Sequence, residues 1–237
     1  MSKIGGGLTQ FFRGWKAFDY IFCTAAIILP IVSAVIFNSS IWQCLSTVIT
    51  LLFCLFSAKG VSFANFLGLA ALFVYAYVAF VAHLYGEVII QVCIVLPITI
   101  VTIVTWYRNK QKDEHDNNKV TVAKVSLKEL VIVMFSQIIM GVGYYFLLGA
   151  FNTENLIISV VAMETEIVGF YLLMRRCPYA FWAFLVHSIV LIVLWGVKSL
   201  GDYTYIAVLL MPVFNAISNT YGIISWAKLQ KSQAQSQ

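Results

Sequence analysis

Residues 180–197 read AFWAFLVHSIVLIVLWGV, an apolar run that carries one ionisable ring, His187, near its centre. A hydrocarbon core about 30 Å thick takes roughly 20 residues of helix at about 1.5 Å of rise each. This run is nearly long enough to cross one. Seven further segments share the property: 21–37, 41–57, 63–84, 88–106, 130–148, 156–174 and 205–226. Apolar residues make up 61% of the chain and charged residues 11%, against roughly 25% charged in soluble domains. In lipid every backbone polar group has to be paired within the protein, which leaves helices or closed barrels. Runs of this length point to helices. The reading is an all-α polytopic membrane protein of eight spans.

The basic residues set the expected topology. With the N-terminus in the cytoplasm and eight spans threaded, fourteen of the fifteen Lys and Arg residues fall inside, and only Lys198 falls outside. Cytoplasmic loops carry the Lys/Arg excess, so both termini are expected in the cytoplasm and the spans in the cell membrane. The net charge of +5 is then a matter of topology rather than a surface for nucleic acid.

The chain divides into a cytoplasmic, amphipathic N-terminus (1–20), spans one to four (21–106), a cytoplasmic linker (107–129), spans five to eight (130–226) and a cytoplasmic tail (227–237). Residues 1–20 lack the apolar run and small-residue cleavage site of a secretory signal. A faint repeat relates the halves. The third span leaves through LYGE (84–87) and the fourth ends in WYRNK (106–110); the seventh leaves through SLGD (199–202) and the eighth ends in WAKLQK (226–231). Spans two to four and six to eight would be parallel three-helix repeats, with span five carrying the chain back across: an arrangement of 1 + 3 + 1 + 3. The five cysteines (Cys23, Cys44, Cys54, Cys93, Cys177) and the histidines (His83, His115, His187) have no metal-type spacing. No HExxH, CxxC, GxSxG or Walker pattern occurs. Neither a metal, a cofactor nor a catalytic centre is expected.

These stretches resemble the nicotinamide riboside transporter family, PnuC. The residues that carry the resemblance are LYGE (84–87), SLKEL after the linker (126–130), NLIISVVAMETEIVGFYLLMRR (155–176), IVLIVLW (189–195) and YGIISW (221–226), with FFRGW (11–15) at the start. The resemblance implies a SWEET-like fold, homotrimers, and facilitated diffusion of nicotinamide riboside or a related vitamin or deoxynucleoside. A cytoplasmic kinase would then trap the solute by phosphorylation. It also sets expectations by position. The family's Trp-x-x-x-Asn element in span seven falls on Ala183 and His187, with Trp182 one place off. Its tyrosines and Met-Gln pair after LYGE are replaced by Gln91, Cys93, Pro97 and Thr99, and its Asn-Asp before Tyr-Gly is Ser218-Asn219. Scaffold signals are kept while pocket positions change, which points towards a neutral deoxynucleoside, with nicotinamide riboside as the alternative.

Polar groups near mid-depth usually face a cavity or one another. The candidates for binding the solute are Gln91, Gln137, Glu164, Trp182, His187, Asn215, Ser218 and Asn219. Asn215 and Asn219 share one helix face. Glu164 and Glu166 stand about 200° apart around their helix, so only one of them can face the cavity; Glu164 is taken as the candidate. Tyr75, Tyr77, Tyr144, Tyr145 and Trp182 could stack on a flat base. The competing role for each polar residue is hydrogen bonding between helices. Proton-coupled transport through Glu164 or His187 is the alternative mechanism, and an intramembrane hydrolase the remote one.

Overall fold

The computed structural model describes residues 15–112, 118–151 and 155–235; residues 1–14, 113–117 (with His115), 152–154 and 236–237 lie outside the described residues. Eight helices are long and apolar enough to span a membrane among the described residues: α1 Ala17–Ile36, α2 Ile41–Ala58, α3 Ala64–Val81, α4 Tyr85–Arg108, α5 Leu127–Ala150, α6 Leu156–Met174, α7 Ala180–Gly201 and α8 Ile206–Gln235. The eight-span, all-α architecture read from the sequence is the one present.

Local chemistry explains where the helix ends differ from the hydropathy boundaries. α1 starts at Ala17 rather than at residue 21. Asp19 sits in its first turn, accepts from the Lys16 backbone N–H at 2.8 Å, and is paired with Lys59 at 2.6 Å. A hydropathy boundary rejects that carboxylate; the buried ion pair accommodates it. Ser40 and Gln43 cap α2 reciprocally, at 3.2 and 2.8 Å, in the S-x-x-Q pattern of a capping box. α8 runs on past Trp226 because Gln233 bonds both the Val122 N–H (2.8 Å) and the Val120 carbonyl (3.1 Å). The linker is not wholly irregular either. It carries an antiparallel pair, β1 Lys110–Lys112 and β2 Asn118–Val120.

α4 is interrupted. Residues Gln91–Val95 form a π turn in which the Leu96 N–H reaches back five residues to the Gln91 carbonyl. Pro97 lies just beyond. It has no N–H and crowds the carbonyl four residues back, and the wider turn absorbs that defect. π turns inside α-helices are frequent at functional sites, and this one carries Gln91.

Six helices close into a ring: α2 packs on α3, α3 on α4, α4 on α6, α6 on α7, α7 on α8 and α8 on α2. α1 lies outside against α2 and α8, and α5 outside against α6. Exchanging α2 with α6, α3 with α7 and α4 with α8 leaves this list of neighbours unchanged, as expected of two parallel three-helix repeats.

Residue-level matches support the repeat at the end where the linker sits. α2 and α6 terminate in the same Schellman-type turn. Val61 N–H bonds Phe56 O (3.1 Å) around Gly60 at φ 69°, and Cys177 N–H bonds Leu172 O (2.9 Å) around Arg176 at φ 59°. β2 and the stretch after it tie both turns together, with Val120 N–H on Gly60 O (2.9 Å) and Ala123 N–H on Arg176 O (3.0 Å). The two span-ending tryptophans are likewise equivalent. Trp106 Nε1 donates to Leu173 O at 2.9 Å, Trp226 Nε1 to Ser57 O at 3.0 Å, and the rings meet at 5.6 Å. Each repeat therefore clasps the end of the first helix of the other.

Candidate functional site: a cavity inside the six-helix ring

The ring surrounds a cavity with about 810 Å³ of empty space, open solvent included. Every ring helix lines it. α2 contributes Thr50, Phe53, Cys54 and Ser57; α3 contributes Gly68, Ala71, Leu72 and Tyr75; α4 contributes Glu87, Gln91 and Val95. From the second repeat come Glu166, Phe170 and Leu173 of α6, Phe181, Phe184, His187, Ser188 and Leu191 of α7, and Met211, Asn215 and Asn219 of α8.

Close helix approach shapes the aromatic walls. Phe53 of α2 lies over Gly68 of α3, where a Cβ would stand 2.9 Å from the ring. In the second repeat the partners are reversed: Phe184 of α7 lies over Gly169 of α6, where a Cβ would stand 2.5 Å away. Phe181 occupies Gly222 of α8 in the same manner, at 2.4 Å. Phe53 and Phe170 face one another across the ring, nearly parallel at 6.4 Å. The flat walls come mainly from phenylalanines; of the tyrosines and tryptophan that the sequence brought forward, only Tyr75 joins them among the described residues.

The polar inventory is small and directional. His187 is buried, and its Nδ1 lies 3.0 Å from the Ala162 carbonyl. A neutral ring that donates there keeps Nε2 as an acceptor. Asn219 Nδ2 donates to Ser188 Oγ (3.1 Å), and Ser188 Oγ donates to Phe184 O (2.7 Å). Asn215 stands one turn before Asn219 and also lines the cavity; its Oδ1 is buried and has no hydrogen-bond partner within the described protein. Towards the end of the cavity away from the linker, Gln91 Nε2 donates to Glu166 Oε1 at 2.8 Å and the Tyr75 hydroxyl to Glu87 Oε2 at 3.4 Å. Among the described residues no Lys or Arg lines the cavity. Among the described residues no cluster of His, Cys, Asp and Glu could hold a metal ion.

Of the sequence candidates, Gln91, His187, Asn215 and Asn219 line this cavity. The other four do not. Trp182 is 55% exposed on the outer face of α7. Gln137 is buried on α5, outside the ring, and Ser218 is fully buried one residue from the cavity-facing Asn219. Glu164 packs against α5, its Oε1 over Gly141, where a Cβ would stand 2.7 Å away. Its neighbour but one, Glu166, takes the inward position. The phase of α6 thus reverses the choice between the two carboxyls. Tyr75 lines the cavity, whereas Tyr77 and Tyr145 are exposed and Tyr144 is buried elsewhere. Glu87 was legible only as an acidic residue at a span exit, and Phe53, Phe170 and Phe184 carry no signal that separates them from other apolar residues.

Known proteins agree with this architecture. The crystal structure of the vitamin B3 transporter PnuC superposes with a TM-score of 0.83 at 23% sequence identity, covering 94% of this chain and 96% of that one. The nicotinamide riboside transporter PnuC of Neisseria mucosa is 26% identical over 234 residues, 94% of this chain and 85% of its own length. The description of nicotinamide mononucleotide transporters matches residues 40–228, which takes in α2 to α7, most of α8 and the entire cavity. The chain belongs to the nicotinamide mononucleotide transporter family, and so is a multi-pass membrane transporter rather than an enzyme.

Proposed function

We propose that the chain carries a nucleoside-type solute into the cell by facilitated diffusion through the six-helix ring. The observation that carries this reading is one cavity bounded by both repeats, in which phenyl faces meet His187, Asn215, Asn219 and Gln91. A nucleoside needs that combination: flat apolar walls for the ring, and a few paired donors and acceptors for the sugar and the base edge. Nicotinamide riboside is the first candidate, supported by the names of the two relatives. A neutral deoxynucleoside is the second, favoured by the imidazole and the two amides. Phosphorylation by a cytoplasmic kinase traps the solute in this scheme. In this reading the carrier sits in the cell membrane with both termini inside and works as a homotrimer, the state that the family resemblance implies.

Uptake into proteoliposomes tests the proposal. Radiolabelled nicotinamide riboside should equilibrate without a pH or ion gradient, with unlabelled thymidine and deoxyadenosine as competitors. Accumulation above equilibrium, driven by an imposed proton gradient, would overturn the uncoupled mechanism in favour of proton coupling. Competition by the deoxynucleosides alone would select the second solute.

A further inference from the structure

Among the described residues two carboxyl groups line the cavity, and no lysine or arginine does. Glu87 and Glu166 are 4% and 7% exposed. Gln91 is one turn from Glu87 on α4, where its backbone N–H bonds the Glu87 carbonyl. The Gln91 side chain donates to Glu166 on α6. Glu87 of α4 and Glu166 of α6, which meets the Gln91 side chain one turn on from Glu87, thus bring a carboxyl from each repeat to one end of the cavity. Their polar partners, Gln91 and Tyr75, are neutral. A buried carboxylate is costly unless a cation or several donors meet it, and one donor each does not replace a counter-ion. Phe170 lies one turn beyond Glu166 and also faces the cavity, so a carboxyl and an aromatic ring sit side by side. That pairing suits a flat cation, which gains from the negative face of a ring as well as from opposite charge.

We propose that Glu87 and Glu166 form a cation-reading end of the cavity, which selects a nucleoside whose base is a permanently charged pyridinium-type ring over its uncharged counterpart. The proposal rests on the nucleoside reading above and adds which residues decide the charge of the solute. The cationic ring lies between Glu166 and the Phe170 face, and the sugar hydroxyls extend towards Asn215 and His187.

Titration calorimetry on the purified full-length protein tests it with two probes of nearly identical shape. They are nicotinamide riboside, with its charged ring, and dihydronicotinamide riboside, with the same sugar and carboxamide and no ring charge. The wild type should bind the charged compound more tightly. Glu166→Gln keeps the size of the side chain and an oxygen for Gln91. It should lower affinity for the charged compound about tenfold or more while leaving the uncharged one within about threefold. Retained binding of the uncharged compound shows that the variant is folded. Should Glu166→Gln bind neither, Glu87→Gln decides by the same ratio. Equal loss for both compounds, an unchanged ratio, or a wild type that prefers the uncharged compound overturns the proposal and returns the carboxyls to interhelical hydrogen bonding. A folded wild type that binds neither compound overturns the nucleoside reading itself, a result distinct from binding both without preference.

Discussion

His187 and Lys59 illustrate two different uses of a titratable side chain in this chain. His187 is held from one side by the Ala162 carbonyl and lines the cavity on the other. Losing one buried, satisfied hydrogen bond to a solute costs about 1–3 kcal/mol, or roughly 5- to 150-fold in affinity. His187→Ala is expected to weaken nucleoside binding by that factor in calorimetry while thermal unfolding of the detergent-solubilised protein stays close to wild type. Unchanged affinity would leave His187 a packing residue. Lys59 has no contact with the cavity. Burial lowers its pKa below the ordinary lysine value, and the hydrogen bond it donates to Asp19 opposes that shift. Asp19 itself is fully buried, so removing the ammonium strands a carboxylate. Lys59→Met is expected to destabilise by about 3 kcal/mol or more, read as a lowered unfolding midpoint. Adding Asp19→Asn should restore part of the loss, because the stranded charge goes with it. A double variant as unstable as the single one would show that the pair is not the cause.

At the scale of elements, the tightest constraints lie where the repeats hold each other. Trp106 and Trp226 each donate to a carbonyl near the end of the opposite repeat's first helix. Replacing either by Phe keeps most of the ring and removes one of two bonds to that carbonyl, which also accepts a backbone N–H (Arg176 on Leu173 O and Gly60 on Ser57 O, both 2.9 Å), a cost of about 0.5–1.5 kcal/mol. The two substitutions are expected to lower the unfolding midpoint by similar amounts, because their surroundings are equivalent. A large effect of one and none of the other would contradict the repeat. Gly60 supplies the left-handed residue that ends α2. Gly60→Ala should cost about 1–2 kcal/mol in backbone strain, with a further contact, since the new Cβ would meet Leu229 at 3.2 Å. Arg176 accepts the same conformation in the second repeat without glycine. Its guanidinium bonds Thr121 Oγ1 at 2.6 Å, a contact that offsets the strain and ties the linker down.

For the whole molecule, the distribution of basic residues is the ground for proposing that the linker end is cytoplasmic. In a background freed of Cys23, Cys44, Cys54, Cys93 and Cys177, single cysteines at Lys119 and Asp202 should label from opposite sides of sealed cells with an impermeant maleimide. Labelling of both from outside would defeat the topology. The linker end already behaves as one packed layer. β2 and the residues after it bridge the ends of α2 and α6, and Gln233 closes them against α8. None of this could be read in advance. The linker's Asn, Lys and Asp content marks it as polar, and a polar segment has no apolar periodicity from which a docked position can be inferred.

The number of spans, the helical class and the 1 + 3 + 1 + 3 order were determined by the sequence itself. Lipid offers no partner to an unpaired backbone, so each long apolar run has to become a helix of known length, and charge asymmetry threads the runs in order. The rotation of each helix about its axis was decided only by the tertiary structure. In a soluble protein the polar face of a helix announces which side meets water. In a membrane, lipid is as apolar as the protein core, so the hydropathy of α6 or α7 does not say which face turns inward. Close approach settles it instead: Gly141 admits Glu164 on the α5 side, which turns Glu166 into the ring. Gly169 and Gly222 seat the phenyl rings of α7, which brings His187 inside and leaves Trp182 facing outwards.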